Sequence, residues 1–155
     1  MTVFLRPAVS RDLDDLYRLE QVAFSGDRFS RRQLWHLLNR ANALTLVAEG
    51  EDGRLVGYGT LLFRFGSGRA RLYSFCVHPG ARGSGLGRRM LEWLESAAGE
   101  RGCDWLVLEV RADNQAALAL YRRMGFAPSD WLDDYYEDGC AAWRMGKALA
   151  LARAG

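Results

Sequence analysis

Glu109 interrupts an otherwise apolar run, Trp105-Leu106-Val107-Leu108-Glu109-Val110-Arg111. As a strand, its period of two puts Leu106, Leu108 and Val110 on one face and Val107, Glu109 and Arg111 on the other. A carboxylate inside a sheet is costly unless it is paired or used. Two readings follow: a general base, or a structural ion pair with Arg111. Tyr121 lies downstream in "NQAALALYRRMG", where helical spacing sets it beside Ala117, Leu118 and Met124. Its phenol suits a proton donor and its ring suits a core. Cys76 and His78, two apart on a strand, have the residue types of an acyl-enzyme pair. No third orienting group is evident, and a small apolar cysteine in a core strand is the commoner arrangement. His36 in "LWHLL" reads as a packing or partly exposed histidine.

Between the strand "LYSFCV" and the helical run "RRMLEWLESAA" stands "HPGARGSGLG". Glycine is expensive to order, so four of them at a strand-to-helix junction imply bare backbone with a purpose. Such a turn presents unpaired N–H groups at the positive end of a helix dipole, a ready anion site. Arg82, Arg88 and Arg89 add cations. A Walker loop is excluded, because Leu86 and Gly87 stand where Lys and Ser/Thr must be. The dinucleotide fingerprint fails at Arg88.

These groups need a scaffold. "TVFLRPA" predicts a short first strand, and Ser10 is expected to cap a helix with apolar Leu13, Leu16, Tyr17 and Leu19. Asp12, Asp14 and Asp15 fall in its first turn, where the dipole favours anions. Ser30 and Gln33 have capping-box spacing before "LWHLLNRA". "LTLVAE" and "LVGYGTLLFRF" form a hairpin turning at Asp52-Gly53, and "GSG" turns into "RARLYSFCVH". The glycine loop, its helix, the Glu109 strand and the Tyr121 helix follow, the last closed by Gly125. A final hairpin is expected around Asp138-Gly139. The class is α/β (α+β): a mixed, mostly antiparallel central sheet flanked by helices. Its strand–loop–helix–strand unit requires a parallel pair.

The 155 residues amount to one domain, with no repeat, linker or low-complexity tract. The net charge of +2 is too small, and the arginines too scattered, to argue for nucleic acid. No apolar window is long enough for a membrane span, and the N-terminus lacks a signal-peptide layout. Three cysteines, Cys76, Cys103 and Cys140, without C-x-x-C spacing indicate neither a disulfide framework nor a metal site. A cytoplasmic protein is the expectation.

Arg82, Gly85 and Gly87 fit [QR]-x-x-G-x-[GA], and Asn114, Ala117, Tyr121, Gly125 and Phe126 fit N-x-x-A-x-x-x-Y-x-x-x-G-F. In these motifs, and in element order over nearly the whole chain, the sequence resembles the GCN5-related N-acetyltransferase (GNAT) superfamily. Within it, "LEVRADN", "ALYRRMGF" and the paired tyrosines of "DDYYEDG" resemble the ribosomal-protein-alanine (RimI-type) enzymes, as does the E-x-x-x-F match at Glu20 and Phe24. The stretches "SGDRFS" and "WLDDYYEDGCAAWRM" depart from them and leave the acceptor open.

The resemblance implies a transferase domain over residues 1–149, a C-terminal tail over 150–155, and acetyl-CoA as donor with coenzyme A as product. Amides of Gly83, Ser84, Gly85, Leu86, Gly87 and Arg88, helped by Arg82, would hold the pyrophosphate. Asn114, Ala117 and Tyr121 would contact the cofactor. A backbone N–H near Cys76 or Val77 would face the developing oxyanion. Glu109 would be the base and Tyr121 the proton donor, in direct transfer within a ternary complex. Glu20, Phe24, Tyr135 and Tyr136 would line the acceptor pocket, although packing explains the two tyrosines equally well.

At pH 7 roughly one α-amine in ten is neutral, against roughly one lysine in 2,500. A modest base therefore suffices for an α-amine, which favours a protein or peptide N-terminus as acceptor. A small amine or amino acid is the alternative acceptor, and a silent acyl-CoA sensor the alternative function; the retained Glu109 and Tyr121 argue against the sensor.

Overall fold

The computed structural model describes residues 2–24, 26 and 28–150. The expected tail thus lies, but for residue 150, outside the described residues, as do Ser25 and Asp27 of "SGDRFS". Seven strands form one mixed sheet: β1 (Phe4–Pro7), β2 (Ala43–Glu49), β3 (Leu55–Phe63), β4 (Arg69–Val77), β5 (Trp105–Arg111), β6 (Ala127–Leu132) and β7 (Ala142–Ala148). Their spatial order is β1-β2-β3-β4-β5-β7-β6. Among the described residues only β4 and β5 run parallel, as a crossover through a helix demands.

The helices divide between the two faces. The first pair, α1 (Leu13–Ala23) and α2 (Arg31–Asn39), buries Leu16, Leu19 and Leu34 against Val47, Tyr58 and Cys76. On the opposite face, α3 (Leu86–Glu100) and α4 (Gln115–Arg123) bury Met90, Leu94, Leu118 and Tyr121 against Leu46, Leu72, Leu108 and Val110. The alternation of Leu46 and Val47 between these clusters is the period-two rule at work.

Local sequence explains some element ends. Ser30 Oγ accepts the Gln33 N–H at 3.1 Å, while Gln33 Oε1 accepts the Ser30 N–H at 2.8 Å. That closes the expected capping box. Ser10, in contrast, caps nothing: its hydroxyl donates to Asn39 at 2.6 Å. A 3-10 turn at Ser10–Asp12 precedes α1, and Asp12 accepts the Val9 N–H at 2.8 Å. Arg6 grips the same carboxylate with two bonds of 2.9 Å, holding it below the ordinary value of 3.8. The last hairpin is also looser than expected. Strands β6 and β7 are joined through residues 133–141, and Asp138-Gly139 is only the turn at the end of that connection.

Candidate active site

The site begins where the sheet comes apart. Strands β4 and β5 pair from Arg69–Trp105 to Leu72–Leu108 and no further. Beyond that rung, Ser74–Val77 continue on β3 and Glu109–Arg111 continue on β7. The β3–β4 register shifts between Leu72 and Ser74, so Tyr73 is an extra residue, and such a bulge bends its strand. The two strands splay around a cleft of about 1490 Å³.

The glycine loop stands at one end of this cleft. Gly83 and Gly85 have φ values of +81° and +82°, and a Cβ on either would meet nothing within 4 Å. Both conformations are left-handed and favour glycine. Gly87 serves differently, because its Cβ would come 3.2 Å from Leu120 of α4. Among the described residues, the hydrogen bonds outside the helices and strands include none donated by the amides of residues 83–88. Arg82 and Arg88 line the cleft beside them. Bare amides, open space and two guanidiniums fit a pyrophosphate. The Ser84 and Leu86 side chains do not face it: Ser84 Oγ donates to Ala81 O at 2.6 Å, and Leu86 is buried in the core.

The backbone at the splay can be read by alternation. His78 N–H donates to Val56 O at 2.7 Å. Cys76, two residues back, therefore turns its N–H to β3 as well, and Val77 and Phe75 turn theirs to the open side. Of the two expected oxyanion donors, Val77 has the right direction and Cys76 does not. The Cys76–His78 pair is not assembled either. Burial, with a lesser contribution from Glu20, pushes the Cys76 thiol far up, so little thiolate forms. His78 Nδ1 accepts the Gly80 N–H at 2.9 Å as a turn cap.

Glu109 and Tyr121 start on opposite faces of the sheet. Leu108 and Val110 point into the α3–α4 core, so Glu109 points to the α1–α2 side, where its side chain is only 6% exposed. Its expected partner Arg111 instead pairs with Asp113 and Asp138. The carboxylate is held by Arg71 of β4 and, at 3.6 Å, by Arg144 of β7. Tyr135 OH approaches its Oε1 at 3.4 Å. Tyr121 belongs to the α3–α4 core and stands edge-on to Phe75 and Phe126. Burial, with smaller effects of Tyr136 and Cys76, pushes its phenol well up, so the proton stays on. Because the sheet is open here, both residues line the one cleft.

The remaining expected residues also come to the cleft, with some roles altered. Asn114 Oδ1 accepts the Ala117 N–H at 3.1 Å and caps α4, which leaves its amide NH₂ for a ligand. Ala117, Phe24, Tyr135 and Tyr136 line the wall. Glu20 is 1% exposed. Its carboxylate takes the Tyr58 hydroxyl on one oxygen and the Phe29 N–H, at 2.9 Å, on the other. Burial pushes Glu20 up against these two hydrogen bonds, and the residue ties α1 to β3 and the segment after α1. Arg71 and Arg144 were not foreseen. Nothing in "RARLYSF" or "AAWRM" marks them, because their partner Glu109 is distant in sequence.

The parallel pair opens beside the glycine loop, and a carboxylate and a phenol line the cleft between them. The acetyltransferase (GNAT) family model matches residues 11–126, and the chain belongs to that family. It is an N-acetyltransferase. An uncharacterised N-acetyltransferase of Methanocaldococcus jannaschii is 35% identical over 152 residues, spanning 97% of this chain and 95% of that one. A Bacillus subtilis protein provisionally named ribosomal protein bS18-alanine N-acetyltransferase is 30% identical over 128 residues, 82% of each chain. The crystal structure of the Escherichia coli ribosomal-protein-S18-alanine N-acetyltransferase superposes with a TM-score of 0.87 at 28% identity, covering 98% and 97% of the two chains.

Proposed function

We propose that this enzyme acetylates the N-terminal α-amine of a protein or peptide, with acetyl-CoA as donor and direct transfer in a ternary complex. The observation that carries the reading is the splay, which brings Glu109 and Tyr121 from opposite faces onto one cleft ending at the glycine loop. The similarity to the S18-alanine enzyme over nearly the full length supports a peptide acceptor. The transferase domain is residues 1–149, and the cytoplasm is its compartment; among the described residues no helix is long and apolar enough to cross a membrane.

Acetyl-CoA supplies an activated acetyl thioester. Amides of residues 83–88, with Arg82, would hold its pyrophosphate, and Asn114 and Ala117 would contact it from the cleft wall. Glu109 takes a proton from the acceptor ammonium so that the neutral amine can attack. Val77 N–H is aimed at the side where negative charge develops on oxygen. Tyr121 gives its proton to the thiolate as the C–S bond breaks, and the second proton released from the nitrogen as the amide forms restores the phenol. Phe24, Tyr135 and Tyr136 form the acceptor wall.

The test is thiol release from acetyl-CoA against peptides with free N-termini, lysine peptides blocked at the N-terminus, and small amines. Free N-terminal peptides are expected to give the highest kcat/KM. Faster turnover of lysine peptides or small amines overturns the acceptor assignment.

A further inference from the structure

The two arginines on Glu109 are not equivalent. Arg144 lies directly opposite Glu109 in the β5–β7 ladder, so its contact is an ordinary cross-strand pair. It also faces Asp130 in the β6–β7 register. Arg71 sits on β4, opposite Val107 and one rung before the last β4–β5 pair. From there it reaches into the opening and pairs with Glu109 Oε1. The β4–β5 pairing ends at Leu72–Leu108, so the Arg71–Glu109 ion pair is a side-chain tie at the mouth of the splay.

Arg71 is itself braced. Its guanidinium lies over the Tyr73 ring, 5.3 Å from the centroid, and touches Tyr135 OH at 3.2 Å. Its Nε is buried without a hydrogen-bond partner. Burying a donor without an acceptor is costly, so Glu109, Tyr73 and Tyr135 hold the group there rather than its own full satisfaction. Arg71, Tyr135 and Glu109 form a closed triangle at the acceptor end of the cleft.

We propose that Arg71 is a positioning residue for acetyl transfer: across the splay it fixes the Glu109 carboxylate, and through Tyr135 the acceptor wall, in the geometry that meets the incoming amine. This rests on the reading of Glu109 as the base. Without Arg71 the carboxylate keeps Arg144 on its far side and swings toward β7, away from the opening. A displacement of about 1 Å at a reacting group costs on the order of 10²-fold in rate.

The experiment is a double-mutant cycle in kcat, with acetyl-CoA and the fastest acceptor of the panel above. Arg71→Met keeps the stem over Tyr73 but removes the fork. It is expected to lower kcat roughly 10- to 100-fold and leave KM for acetyl-CoA unchanged. Arg71→Lys, which keeps the charge without the planar fork, restores part of the loss. In a Glu109→Gln background, Arg71→Met should cost less than about twofold more, because residues that act as a unit are not additive. A full second loss in that background overturns the proposal, as does a raised KM for acetyl-CoA with kcat intact. A wild-type kcat in Arg71→Met overturns it while Glu109 stands as base. A wild-type kcat in Glu109→Gln removes the base reading and this proposal with it. Should Arg71→Met fail to fold, Arg71→Lys and Arg71→Gln carry the same cycle.

Discussion

The ring of Tyr121 on α4 meets the ring of Phe75 on β4 edge to face, with centroids 6.2 Å apart. Phe75 belongs to the part of β4 that has left β5, so this contact seats the phenol against the open half of the sheet.

Removing the Tyr121 hydroxyl tests whether the phenol gives its proton. Tyr121→Phe keeps the ring contacts with Phe75 and Phe126, so the fold and acetyl-CoA affinity are expected to stay close to wild type. General acids contribute about 10²–10⁴-fold, and kcat should fall within that range. A wild-type kcat under conditions where chemistry limits the rate makes Tyr121 a packing residue.

Glu109→Gln keeps shape but cannot accept a proton. Activity at pH 7 should fall sharply, because most acceptor amines there are protonated. Toward pH 9 an α-amine loses its proton unaided, so the variant should recover a larger fraction of the wild-type rate. With a lysine acceptor the same recovery requires a pH above about 10. The ratio of mutant to wild-type rate across pH is the measurement. Thermal melts separate a lost base from the structural cost of leaving Arg71 and Arg144 without their carboxylate.

Gly85→Val forces a β-branched residue into φ near +82°, a conformation such residues avoid. Acetyl-CoA binding is expected to disappear, while Arg82→Ala weakens it roughly tenfold, the scale of one charge-assisted hydrogen bond. Position 85 is a cleaner probe than Gly87, where any side chain also presses on Leu120. Calorimetry with acetyl-CoA decides; unchanged affinity in Gly85→Val removes the loop from the cofactor site.

Asp12→Asn should cost about 1–3 kcal/mol of stability at pH 7, the range for losing charge-assisted bonds to a buried group. Arg6 lowers the Asp12 pKa in the fold, so the carboxylate stabilises above its ordinary value of 3.8 and loses that contribution as pH falls through the lower folded value. The mutant and wild-type denaturation midpoints should differ above about pH 5 and converge as the pH falls through the lower folded value. A constant gap down to pH 2 means that shape, not charge, is what the asparagine lacks.

Much of this protein was legible locally. Hydrophobic periodicity marked the strands and helices that surround the site. The Ser30–Gln33 box and the glycines at 53 and 125 marked boundaries, because capping and positive φ are properties of a few neighbouring residues. The loop at 80–87 announced bare amides for the same reason: positive-φ glycines at a helix start need no distant partner. Where a nearer competitor existed, local reading failed, as when Asp12 rather than Ser10 took the turn before α1. The candidate constellation was a matter for tertiary structure. Period two put Glu109 on one face of β5 but could not show that β4 leaves β5 after Leu72, since that depends on a bulge at Tyr73 and on pairing with β3. Only that opening lets a residue from the α1–α2 face and one from the α3–α4 face share a cleft. Arg111 was the obvious partner for Glu109 by proximity in sequence. Arg71 and Arg144 took its place because a sheet brings distant strands within about 5 Å, closer than two same-face residues along one strand.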